Sequence, residues 1–366
     1  MKTDFEIVRY SKTFKDQVVA LTTHLWSSNT GLNAAYFEWK HEQNPYIEEP
    51  LVWLALHQGE VVGMRGVFGS KWEIGSPDET FTFPHADDLV VRPDFRNQGV
   101  VTQIHRAAFE DLERMKFPYI VSLSAGPLTV LGSLAMGWKR VGLMTPYSKK
   151  NSIHKLSKTA PYSLFGRVLG IYENYLSRTA FDRLDHKSHS RTNASISIGS
   201  QPRSEEMSRL LNRIPSNGRI RHLRNQEYFD WRFRNPLHRY RFLYWDETEL
   251  EGYLVLQQNR KRREFNIVDW EGTTQQVQSE LLDAAFRFST FPEISCWTLS
   301  LSDESRTLLS KAGFRGRAPR SELDLDECLL VRPACEDSFT EDWTLNGVHM
   351  LDPQNWSIRM IFSMRG

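Results

Sequence analysis

The spacing of apolar and polar residues runs through the same succession of elements twice. In the first half, alternation predicts a short strand at 5–10, and apolar residues three and four apart predict a helix over 13–26. Two further alternating stretches, at 52–57 and 61–68, read as a hairpin. A fourth strand at 87–91, a helix over 100–115, a fifth strand at 119–124 and a helix over 128–136 follow, the last closing on Gly137-Trp138-Lys139. The second half predicts strands at 195–199, 241–245, 252–257, 265–270 and 294–300. Its helices fall over 204–214, 276–289 and 304–311, the last closing on Gly313-Phe314-Arg315. Glycine is the residue expected just beyond a helix C-terminus.

Residue identity supports the repeat. Tyr36-Phe37-Glu38-Trp39-Lys40, followed by Asn44-Pro45, returns as Tyr228-Phe229-Asp230-Trp231-Arg232, followed by Asn235-Pro236. Retention of Trp39 and Trp231 in both copies reads as a pair of buried anchors rather than as the wall of an acceptor pocket. The pattern implies an α/β architecture, a mixed sheet with flanking helices, built as tandem domains over 1–148 and 194–366. A connector over 149–193 joins them. It holds apolar residues at helical spacing, and within 149–191 nine Lys and Arg stand against three Asp and Glu. Such a basic amphipathic helix is expected to dock on the domains with its charged face in water. Contact of 161–180 with an anionic membrane is the alternative.

The most specific stretch is Leu89-Val-Val-Arg-Pro-Asp-Phe-Arg-Asn-Gln-Gly-Val-Val-Thr-Gln-Ile104, a strand that enters a helix through a polar, glycine-marked turn. Gly99 permits close approach of a ligand to the backbone, and the unpaired amides of the first helical turn favour negative charge, so a pyrophosphate fits there. Arg96-Asn97-Gln98-Gly99-Val100-Val101 resembles the pyrophosphate loop of the GNAT superfamily of N-acetyltransferases, and Leu89-x-Val91-x-Pro93 resembles that family's fourth strand. Val101 stands where the family usually has Gly or Ala. The order of elements is similar to the GNAT fold in each half. The resemblance therefore implies two GNAT-like domains, with acetyl-CoA or another acyl-CoA as co-substrate on Leu89, Val90, Val91, Arg96, Asn97, Gln98, Gly99, Val100, Val101 and Thr102. The second half has Glu271-Gly272-Thr273-Thr274 in place of the basic turn. Cofactor binding is therefore expected in the first half, and the second reads as a degenerate copy.

A primary amine near its reference pKa of about 10.4 needs roughly 4 to 5 kcal/mol to lose its proton at neutral pH, so a base is useful. His85 and Asp87 alternate onto one face of the fourth strand, with Asp88 on the other, and both are candidate bases. The resemblance assigns the oxyanion donor to a backbone N–H within Leu89 to Val91 and expects a tyrosine in the last helix as general acid. Ser133 occupies that place, leaving water, Ser133 or Tyr119. Ser122 and Ser124, near the end of the fifth strand, read as exposed strand-end serines rather than as partners of the pantetheine arm.

A net charge of +1, from 46 basic and 45 acidic residues, argues against a nucleic-acid partner. Cys296, Cys328 and Cys335 form no CxxC pair or zinc spacing, so neither a disulfide framework nor a metal is expected. The start of the chain lacks a signal-peptide core and no apolar run is long enough to span a bilayer, which leads to a cytoplasmic expectation. The function expected is transfer of an acyl group to a primary amine on a small molecule, with an amino sugar as one candidate. An aminoacyl-tRNA-dependent peptidyltransferase of the tandem-GNAT type and a non-catalytic binding protein are the alternatives.

Overall fold

The computed structural model describes residues 5–123, 126–144, 146–151, 164–188, 195–215, 219–259, 265–297, 299, 301–316, 328–335 and 342–364. The first half supplies β1 (Glu6–Arg9), α1 (Lys15–Leu21), α2 (Thr30–Phe37), β2 (Leu51–His57), β3 (Glu60–Ile74), β4 (Ser76–Val91), α3 (Val100–Arg114), β5 (Tyr119–Ser122), α4 (Pro127–Ala135), β6 (Lys139–Leu143) and β7 (Pro146–Lys150). After the connecting helix α5 (Leu164–Ser188) come β8 (Ile196–Gly199), α6 (Ser204–Arg213), β9 (Ile220–His222), α7 (Gln226–Arg232), β10 (His238–Asp246), β11 (Leu250–Asn259), β12 (Phe265–Gly272), α8 (Gln275–Phe288), β13 (Glu293–Trp297), α9 (Asp303–Lys311), β14 (Arg315–Gly316) and β15 (Cys328–Pro333). A small hairpin of β16 (Thr344–Leu345) and β17 (Val348–His349) precedes β18 (Trp356–Ser357).

The two large sheets exchange strands. The first is ordered β1-β2-β3-β4-β5-β15-β6, and the second β14-β7-β13-β12-β11-β10-β8. β15, from the end of the chain, inserts antiparallel between β5 and β6, pairing Leu330 with Ser122 on one side and with Arg140 on the other. β7 makes the reciprocal insertion, setting Ser148 opposite Ser295 of β13 and Arg315 of β14. β9 and β18 add further C-terminal strands to the far end of β3. The expected boundaries at 148 and 194 therefore do not follow the sheets: the chain leaves β6 and crosses at once into the partner sheet instead of folding back beside it.

Helices α1 and α2 cover one face of the first sheet, with Val18, Leu21 and Phe37 packed on Val52, Leu54, Met64 and Val90. α3 covers the other, with Ile104, Ala108 and Leu112 among Trp53, Val62, Val91 and the exchanged Leu330. Burying these stripes is the main favourable term in forming the layers. The largest core lies between the halves, where Trp39 and Trp231 stack with ring centroids 4.8 Å apart at 10°. Each indole N–H donates to the other's backbone carbonyl at 2.7 Å, so the repeated motif is a reciprocal packing anchor, as its retention in both copies implied.

Each copy of the motif sits on a helix started by asparagine: Asn29 accepts from the Leu32 N–H and Asn225 from the Tyr228 N–H. Past Phe37 the first copy loosens into a π-helical turn over Glu38–Glu42 that buries Trp39, Lys40 and His41, whereas the second remains α-helical to Arg232. Single π turns of this kind frequently mark functional positions.

Candidate active site

The site begins with one extra residue in β4. Gly66 pairs with Asp88 but Val67 pairs with Ala86, leaving Asp87 as a bulge. A bulge re-aims side chains, and here it cancels the alternation. Asp87 and Asp88 were expected on opposite faces, yet both reach the Nζ of Lys40, Asp88 at 2.8 Å. His41 Nε2 and the Trp26 indole N–H also donate to Asp88, each at 3.0 Å. Burial pushes the Asp88 carboxyl up, but Lys40 and His41 outweigh it and hold the group below the usual range. Burial disfavours the Lys40 charge, and the two carboxylates reverse that, keeping the ammonium charged. Asp88 is buried on three partners, and the Asp87 carboxylate beside it at the bulge is enclosed to the same degree.

β4 and β5 run parallel with His85 opposite Val121 as their registered pair; β5 then ends at Ser122 while β4 continues to Val91. The strands thus splay beyond the bulge. Leu89 is half-buried between buried Asp88 and Val90, on the face toward α3, where its neighbour Arg65 is also buried. Desolvation pulls the Arg65 guanidinium down to about 10, although Asp87 and Asp88 oppose it.

His85 is not the accessible base expected. It is 1% exposed and lies 4.4 Å from the Phe68 ring, stacked on it. The Leu123 N–H donates to its Nε2 at 3.1 Å, which fixes the lone pair there and places the proton on Nδ1. Burial drives its pKa down to about 3, so the ring is neutral and ties β5 to β4. Ser133 is buried in α4, where its carbonyl accepts from the N–H groups of Met136 and Trp138; no hydrogen bond joins it to the carboxylates. Tyr119 and Ser122 are buried in β5, and Ser124 lies outside the described residues.

Downstream of β4 lies the glycine-marked turn. Asn97 and Gly99 take left-handed backbone with φ of 62° and 82°, and a Cβ on Gly99 would meet nothing within 4 Å. Arg96 Nε donates to the Val91 carbonyl at 3.2 Å and Gln98 Nε2 to the Asp94 carbonyl at 2.9 Å, so these side chains fold back onto the turn. Gly99 is the N-cap of α3 and supplies no side-chain hydrogen bond to its first amides. Val100 is buried, whereas Val101 and Thr102 are exposed, so the valine in place of a small residue stands at the rim. From Thr102 a cleft of about 670 Å³ continues between α3 and α4 past His105 and Arg106 to Arg332. Arg332 comes from the exchanged β15, covers the Phe109 ring at 4.1 Å and donates to the Met136 carbonyl at 3.0 Å.

The second half keeps the scaffold and changes the chemistry. β12 bulges at Val268, opposite Val255 and Leu256, so an apolar residue replaces Asp87. Asp269 and Glu271 bind Arg224 at 2.5 and 2.8 Å. The Thr274 hydroxyl caps α8 by accepting from the Val277 N–H, closing the amide end that α3 leaves open.

Sequence reasoning missed Lys40, His41, Trp26, Arg65 and Arg332. Lys40 lay within the repeated motif, but its role depends on a π turn and a bulge that meet only in three dimensions. Among the described residues no three His, Cys, Asp or Glu are grouped for a metal, and no helix is long and apolar enough to cross a membrane.

Residues 18–128 match the model of the acetyltransferase (GNAT) family. The whole fold is similar to a GCN5-related N-acetyltransferase from Anabaena variabilis, with a TM-score of 0.58 and 12% identity over 91% of this chain and 73% of that one. It is also similar to a protein of unknown function from Enterococcus faecalis, with a TM-score of 0.56 and 10% identity over 91% and 73%. A GCN5-related N-acetyltransferase from Kribbella flavida gives 0.50 and 11% over 91% and 71%. No curated protein matches the sequence significantly.

Proposed function

We propose that the protein moves an acyl group from acyl-CoA to a primary amine at the β4 bulge, a reading supported by the match of residues 18–128 to the acetyltransferase (GNAT) family model. The observation that carries this reading is the uncapped turn at Gly99, set at the end of a strand that has parted from its neighbour. Its amides suit a pyrophosphate, and the edge of Leu89 and Val90 past the end of β5 suits the pantetheine arm and the oxyanion that forms on the thioester.

In the reaction the amine nitrogen attacks the thioester carbonyl carbon, a tetrahedral oxyanion forms, and the C–S bond breaks to release the thiolate. Asp87, the extra residue of the bulge, is the group assigned to take the nitrogen's proton, because Asp88 is already engaged by Lys40, His41 and Trp26; Lys40 holds the Asp87 carboxylate in place. His85 is a positioning residue that holds β5 against β4. A CoA thiol near the cysteine value of about 8.5 leaves without a dedicated acid, so Ser133 need not supply one. The acceptor in this reading is a small amine, an amino sugar being one candidate, and the second half is structural.

Calorimetry with acetyl-CoA tests it. Micromolar binding is expected, weakened at least about tenfold by Gly99→Asp through repulsion of the phosphates. Asp87→Asn should retain the affinity and lose about a hundredfold in turnover on an amine acceptor. A wild-type protein that ignores acetyl-CoA at high micromolar concentration would instead put the tRNA-dependent or binding-protein reading ahead.

A further inference from the structure

Among the described residues of α5, the buried side chains begin at Leu176. Leu176, Ala180, Phe181 and Leu184 are buried in the second-half core with Leu254, Phe265 and Leu281. Asp185 and Asp182 pair there with Arg241 and Arg239 of β10. Before Leu176 one face of the helix is open to solvent. Val168, Ile171, Tyr172 and Tyr175 are 57%, 70%, 47% and 54% exposed. Their spacing of three, four and seven places them in one stripe, and Tyr172 and Tyr175 stack along it with centroids 6.2 Å apart.

At about 100° per residue, Arg178 and Arg183 fall on either side of this stripe and Glu173 on the far side of the helix. Arg183 lies over the Tyr175 ring at 5.6 Å, holding a positive charge at the aromatic edge. Over α5 the four basic residues Arg167, Arg178, Arg183 and Lys187 stand against Glu173, Asp182 and Asp185, and the two aspartates are paired with Arg239 and Arg241 of β10. An apolar, tyrosine-bearing stripe flanked by arginines is the pattern of a helix that lies in the plane of a membrane interface.

We propose that this exposed stripe of α5 docks on the surface of an anionic lipid bilayer, with Val168, Ile171, Tyr172 and Tyr175 entering the headgroup boundary. A second copy of the chain fits less well: two such stripes would bring like charges together, and four side chains cover far less than the about 800 Å² per partner of a stable interface. The inference is independent of the acyl-transfer reading, since none of these residues takes part in it.

Co-sedimentation with vesicles tests it, comparing phosphatidylcholine alone with phosphatidylcholine containing about one third phosphatidylglycerol. The full chain should sediment with the anionic vesicles at low salt and stay in solution with the neutral ones. The double variant Ile171→Asp, Tyr175→Ser, at exposed positions where folding is unaffected, should lose at least about tenfold in bound fraction with an unchanged melting temperature. Arg178→Glu should weaken binding in proportion to salt sensitivity. Failure of the wild type to bind anionic vesicles, or full binding by the double variant, overturns the proposal. A concentration-dependent dimer that the double variant splits, seen by light scattering without vesicle binding, would assign the stripe to self-association instead.

Discussion

Asp87 and Asp88 are adjacent acids that a simple strand would send to opposite faces; one bulge residue brings both to Lys40. The same strand carries a histidine that folding removes from acid-base use, since its basic nitrogen is occupied and its ring is buried against Phe68. His105, with burial as the leading cause, is likewise held down to about 3, and His222 well below its ordinary value. A group whose native pKa lies below its unfolded value leaves the unfolded chain binding more protons in the window between them. Stability is therefore full above about 6.5 and falls as pH drops toward 3, by about 1.4 kcal/mol per unit for each such histidine. Urea melts from pH 8 to pH 5 should show this decline, with a shallower slope in His105→Gln; a flat profile to pH 5 would contradict neutral burial. The residue types of the site were legible, but their partnership was not, because positions 40, 65 and 87 meet only through the sheet and the π turn.

At the scale of elements, two helices in equivalent places begin differently. α3 starts on a left-handed glycine with no side-chain cap, and α8 on Thr274, which satisfies its own amide end. Thr274→Ala should lower stability by about 1 kcal/mol and leave acetyl-CoA affinity unchanged, as melting and calorimetry on one sample would show. A loss of affinity would mean that the second half takes part in binding. The contrast was readable from Arg96-Asn97-Gln98-Gly99 against Glu271-Gly272-Thr273-Thr274, since capping depends on residues within a single turn. The extent of β3 and β4 was not: the periodicity predicted 61–68 and 87–91, whereas the strands run over Glu60–Ile74 and Ser76–Val91. Their added length carries β9 and, through it, β18.

The whole molecule is two sheets that each complete the other. Residues 1–193 alone would leave β5 and β6 without β15, exposing paired edges and removing Leu330 and Val331 from the core. That fragment should aggregate or lack a cooperative melt, and co-expression with 194–366 should restore one folded complex; a soluble, cooperatively melting 1–193 would show the exchange to be dispensable. The periodicity, the doubled Tyr-Phe-x-Trp motif and the glycine turn were determined by the sequence itself, because each rests on residues within a few positions of one another. The strand exchange, the joining of Lys40 to two aspartates and the silencing of His85 were decided by the tertiary structure, because each rests on pairing between segments far apart in the chain, to which local spacing carries no signal.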